Sequence, residues 1–113
     1  MDFYVWDRET GEVKIEDNFS VFNKFFLDVR NSRLAENTVG TSWISTVFLG
    51  FDHSHQKGGN PILWETIVFD GPLAGEMERY CTMQDAIAGH YQMVERVREA
   101  ENALNLSTNK VSS

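Results

Sequence analysis

Two stretches decide how this chain folds: Trp43-Ile-Ser-Thr-Val-Phe-Leu-Gly-Phe-Asp52 and, after a loop, Ile62-Leu-Trp-Glu-Thr-Ile-Val-Phe69. Both are crowded with β-branched and aromatic residues, which suit a pleated, half-buried backbone. Apolar residues stand at odd and even positions alike. Each stretch therefore reads as a central strand with both faces covered at least in part. The loop between them, 53–61, ends in Gly58-Gly59-Asn60-Pro61, which is strong turn chemistry. A connection of that length permits a wide antiparallel hairpin.

Working outward, residues 3–6 and 12–16 read as a strand pair around the turn Asp7-Arg8-Glu9-Thr10-Gly11. Residues 19–31 read as an amphipathic helix with Phe22, Phe25, Phe26 and Val29 on one face. Asp17, Asn18 and Ser20 are each suited to cap it. Residues 32–41 are polar and read as a connection. Beyond Asp70-Gly71-Pro72, Glu78 to Cys81 reads as a short edge strand. Thr82 then caps a helix, with Asp85 placed as in a capping box. Met83, Ala86, Ile87, His90, Val94 and Val97 recur at three- and four-residue steps, which predicts a helix from Met83 to about Ala103. Gly89 interrupts it, as a glycine does where another backbone comes close. The expected fold is a single α+β domain over residues 1–104: a mainly antiparallel sheet of about four strands, with the C-terminal helix and a shorter N-terminal helix packed on it. Residues 105–113 read as a polar, frayed tail.

Seventeen acidic residues against ten basic ones give a net charge of −7. That balance disfavours direct binding to nucleic acid or to an anionic membrane surface, and suits a basic protein partner. The one cysteine, Cys81, permits no intrachain disulfide and reads as a small apolar residue. The start of the chain lacks the pattern of a secretory signal, and no apolar run reaches the length of a membrane span, so the cytoplasm is the expected location.

Chemistry, if present, rests on the histidines. His90 lies on the apolar stripe of the long helix. His53 has the parity of Val47, Leu49 and Phe51, and Glu65 is the charged residue inside the second central strand. If the helix packs on that face, His53, Glu65 and His90 meet, with Asp52 or His55 at the rim. Such a group suits zinc or non-haem iron, or a general base. The plainer reading is a structural histidine–carboxylate hydrogen bond, with no cofactor. The chain has no His-Glu-x-x-His, no glycine-rich phosphate loop, no cysteine cluster and no Gly-x-Ser-x-Gly. Two helices and a hairpin are few elements to cover two central strands. A strip containing Ile44, Phe48, Trp64 and Val68 is therefore expected to stay open for a partner or for self-association into an oligomer.

The wording Trp43 to His53, Pro61 to Phe69, Gly75 to Tyr80, Ala88-Gly89-His90 and Val94-Glu95-Arg96, with Val29 to Ala35 before it, resembles a family of small proteins encoded by tailed bacteriophages and prophages. Asp52, His53, Glu65, Gly89 and His90 match its pattern, and His55 departs from it. The resemblance implies a phage context, and by analogy of context an accessory protein that binds a host or phage protein without catalysis. A metal-dependent or acid–base enzyme using His53, Glu65 and His90 is one alternative. An oligomeric structural or assembly component is another.

Overall fold

The computed structural model describes residues 1–54 and 58–112, from 107 onward by backbone alone. In chain order these form β1 (Phe3–Trp6), β2 (Val13–Glu16), α1 (Phe19–Leu27), α2 (Val29–Ser32), β3 (Arg33–Val39), β4 (Ser42–Phe48), β5 (Trp64–Phe69), β6 (Met77–Tyr80) and α3 (Met83–Ser112). The class is α+β. β1 and β2 make a separate two-stranded sheet, and the other strands form one antiparallel sheet in the order β3-β4-β5-β6.

The expected N-terminal helix is broken in two at Asp28. That residue is extended and serves both as the end of α1 and as the cap of α2, its carboxylate accepting from the Arg30 backbone N–H. Among the three suited residues, Asn18 is the cap of α1, accepting from the N–H groups of Ser20 and Val21. Residues 32–41 are not a connection. Most of them form β3, an edge strand joined to β4 through the tight Gly40-Thr41 turn. Its alternation is masked because one side faces solvent and Asn37, on the other side, sends its amide to a buried partner. β4 stops earlier than predicted because the chain bends at Gly50, which has a φ of 83°. A Cβ there would press on the rings of Phe22 and Phe26.

Pairing of Trp43 with Phe69 and of Phe48 with Trp64 fixes the faces of the sheet. Ser42, Ile44, Thr46 and Phe48 share one face with Trp64, Thr66 and Val68, and α3 lies across it. Ile44 and Val68 pack with Met93, Val94 and Val97. Phe48 and Trp64 pack with Met83, Ala86 and Trp6, which brings the β1–β2 hairpin over the same face. Trp6 meets Trp64 edge-on, with ring centroids 4.8 Å apart. Aromatic side chains of this size bury large areas and dominate the core.

α3 is capped by Thr82, whose hydroxyl accepts from the Asp85 N–H at 3.0 Å. It continues to Ser112, past the predicted end near Ala103. Gly89 does mark a close approach, but to a side chain. A Cβ there would overlap the Tyr80 ring. At an open helical position Gly→Ala gains about 1 kcal/mol. Gly89→Ala should instead lose about 1 kcal/mol, because it displaces Tyr80 and breaks that side chain's hydrogen bond to Thr66. In a Tyr80→Ala background the same change should stabilise by about 1 kcal/mol. A double-mutant cycle in urea measures the reversal of sign.

Candidate functional site: a sealed histidine and an open sheet face

His90 is fully buried between α3 and the sheet. Its Nε2 lies 2.7 Å from Asn37 Oδ1. An amide oxygen only accepts, so Nε2 carries the proton and Nδ1 presents a lone pair. Thr46 donates to that lone pair at 2.7 Å, Thr66 donates to Thr46 at 2.5 Å, and Tyr80 donates to Thr66 at 3.2 Å. The result is a directed chain from Tyr80 through Thr66, Thr46 and His90 to Asn37. It crosses the core with its hydroxyls and imidazole mutually satisfied. Burial pushes the His90 pKa down, favouring the neutral ring that this chain requires. Burial likewise raises the Tyr80 phenol, with the Thr66 hydrogen bond opposing it.

The expected His53–Glu65–His90 group does not assemble. Strand parity is the reason: α3 packs on the even-numbered face of β4 and β5, while Glu65 points to the opposite face. There Glu65 accepts from Arg79 Nε at 2.9 Å. His53 lies near Val47, Leu49 and Phe51, stacks on the Phe51 ring and holds the Phe51 carbonyl through Nδ1 at 2.8 Å. Asp52 braces the loop, its Oδ1 accepting from Ser54 N and Ile62 N, both at 2.8 Å. The backbone hydrogen bond from Ser54, then that from Ile62, holds its carboxyl below the usual range. Among the described residues no three His, Cys, Asp or Glu side chains are grouped to hold a metal ion. His55 lies outside the described residues.

The strip expected to stay open is also closed. Ile44, Phe48, Trp64 and Val68 are core residues beneath α3 and the hairpin. Among the described residues the more open face is the other one, whose side chains have the odd parity, although Ser45 and Glu65 at its centre are buried. Trp43 stacks on Phe69 at 5.0 Å, Phe69 keeps 41 % of its surface exposed and Met77 keeps 45 %. Val47 and Ile67 are half-buried there. The charges on this face are paired with one another: Arg33 with Glu36 at 3.3 Å, and Arg79 with Glu65. Trp43 donates to Glu36 at 3.2 Å, while the Arg33 guanidinium lies over the Trp43 ring.

A further buried group, Glu101, was not legible as a site residue. Its Oε1 accepts from Thr41 N, Thr41 Oγ1 and Ser42 Oγ at 3.0, 2.7 and 2.7 Å. These bonds tie α3 to the β3–β4 turn. The signal for it is position: a carboxylate one helical step beyond Val97 on the apolar stripe. Hydrogen bonds from Ser42, then Thr41, lower its pKa.

No family model, curated protein or solved structure matches this chain.

Two pH dependences follow with definite sign. His90 has a depressed folded-state pKa, so its contribution is full above the ordinary imidazole value of about 6.5. It fades as pH falls below that value, because the unfolded chain takes up the proton first. His90→Leu should cost about 1–3 kcal/mol at pH 8, by leaving the Thr46 hydroxyl without an acceptor. The gap to wild type should narrow towards pH 5. Glu101 also has a depressed pKa, so its contribution is full above about 4.3 and is lost as pH falls through the folded-state value. Glu101→Gln should therefore destabilise at pH 7 and converge with wild type in acid. Urea titrations at stepped pH measure both differences.

Proposed function

We propose that this protein acts by binding another protein through the helix-free face of its four-stranded sheet, as a non-catalytic accessory in the phage context that the sequence resemblance implies. One observation carries the reading: the stacked Trp43–Phe69 pair stands half-open on a face that no described helix covers. Aromatic and methionine side chains are enriched at the centres of protein interfaces, and Trp43, Phe69 and Met77 provide them here. The acidic surface as a whole, at −7, would draw a basic partner from a distance. The face itself has its charges internally paired, so contact there would rest on shape and apolar burial.

Self-association is the second reading, favoured by the same internal pairing. Two copies could meet face to face without setting unpaired like charges against each other. A catalytic role for His90 has less support, since both ring nitrogens are occupied within a closed core. No described helix is long and apolar enough to cross a membrane. The proposed place of action is the cytoplasm of an infected cell.

The test is the double variant Trp43→Ser, Phe69→Ser, together with a photo-crosslinking residue placed at Met77. The double variant should keep its unfolding free energy within about 1 kcal/mol of wild type, because both side chains are partly exposed. The crosslinker should capture one defined protein in the wild-type background and lose it in the double variant. Capture of a second copy, with a dimer mass by light scattering, would support the oligomer reading. An adduct pattern unchanged by the double variant would contradict a binding role for this face.

A further inference from the structure

We infer that the groove at the outer edge of β3 is a binding site for a small apolar carboxylate. Three arginines converge there from separate elements: Arg8 from the β1–β2 turn, Arg30 from α2 and Arg33 from β3. The floor between them is apolar, made by Val29, Leu34 and Ala35. In a chain with 10 basic against 17 acidic residues, this gathering runs against the average charge of the molecule.

The arginines are held in place before any ligand arrives. Arg8 donates through one terminal nitrogen to the carbonyls of Arg30 and Arg33, and its guanidinium lies 4.7 Å from the centre of the Trp6 ring. Arg8 has no carboxylate partner among the described residues. Arg30 is paired with Asp28 at 2.8 Å and Arg33 with Glu36 at 3.3 Å. Three guanidiniums against two carboxylates leave one positive charge, which matches a monoanion. Arg33 Nε is shielded from solvent and donates to no acceptor. That nitrogen faces inward, so a carboxylate in the groove would meet the guanidiniums through their outer nitrogens.

The groove volume, about 440 Å³, suits a compact ligand. The planar fork of arginine matches the two oxygens of a carboxylate. The Val29–Leu34–Ala35 floor calls for a hydrocarbon body attached to that carboxylate. The groove meets the open sheet face along β3, where Arg33 and Glu36 belong to both, and its proposed ligand does not depend on the function proposed for that face.

The experiment uses the full chain and three probes: 3-phenylpropionate, the neutral 3-phenylpropanol, and acetate. The readouts are the arginine Nε–H and the Val29 and Leu34 signals by NMR. Phenylpropionate should give saturable shifts at Val29, at Leu34 and among the arginine side-chain signals. The alcohol and acetate should each bind at least about tenfold more weakly. Arg8→Gln should weaken phenylpropionate at least about tenfold and leave the alcohol unchanged. Arg30→Gln, at an exposed side chain, gives a second variant with the same expected direction should Arg8→Gln disturb the hairpin. Equal binding of the alcohol would reduce the groove to an apolar crevice and overturn the proposal. Equal binding of acetate would reduce it to ion association. Absence of shifts up to about 10 mM probe would overturn it outright.

Discussion

The hydrogen bond from Thr46 to His90 joins the middle of α3 to the middle of the sheet, and the rest of the architecture depends on it. Thr46 has even parity in β4, so a helix bonded to it must cover Ser42, Ile44 and Phe48 as well. Pairing of β4 with β5 then places Trp64, Thr66 and Val68 under the same helix. A slip of one residue would turn every one of these side chains to the other face. A polar chain buried among apolar neighbours penalises any such slip, because each hydroxyl would lose its partner in a medium that offers no water.

That single choice of face divides the molecule into a closed side and an open one. The closed side holds the core and the histidine. The open side holds Trp43, Phe69 and Met77 among charges that neutralise one another. At the end of the sheet where β3 and β4 are joined, Glu101 fixes α3 to the Gly40-Thr41 turn. It works beside a second turn in which Asp70 and Gly71 have φ values of 60° and 81°. A Cβ on Gly71 would collide with Ser42 Oγ, so close packing of the two turns around this carboxylate requires glycine there.

Much of this was legible in the sequence, and what was not has physical causes. The two central strands, the long helix and its Thr82 cap follow from composition and period. His90 stood out as a polar residue on an apolar stripe, and it is the group that links helix to sheet. Which face of the sheet the helix takes was not legible, since β4 and β5 are apolar at both parities. Hence Ile44, Phe48, Trp64 and Val68 were expected to be open, and Glu65 was expected beside His90. The strand β3 was hidden because an edge strand with Glu36, Asn37 and Thr38 in its middle lacks apolar alternation. Thr46 and Thr66 carried a signal that reads clearly in hindsight: hydroxyls on two apolar strands need partners, and a stripe histidine can supply one.

His90 connects helix to sheet as a buried ring with both nitrogens hydrogen-bonded. The most direct measurement is the tautomer and titration of its imidazole by long-range ¹H–¹⁵N NMR. The expected result is an Nε2-protonated ring, with a slowly exchanging N–H, whose pKa in the folded protein lies below the ordinary value because of burial. A ring that titrates near about 6.5 in the folded protein, with a rapidly exchanging proton, would contradict the account and return His90 to the list of groups available for chemistry.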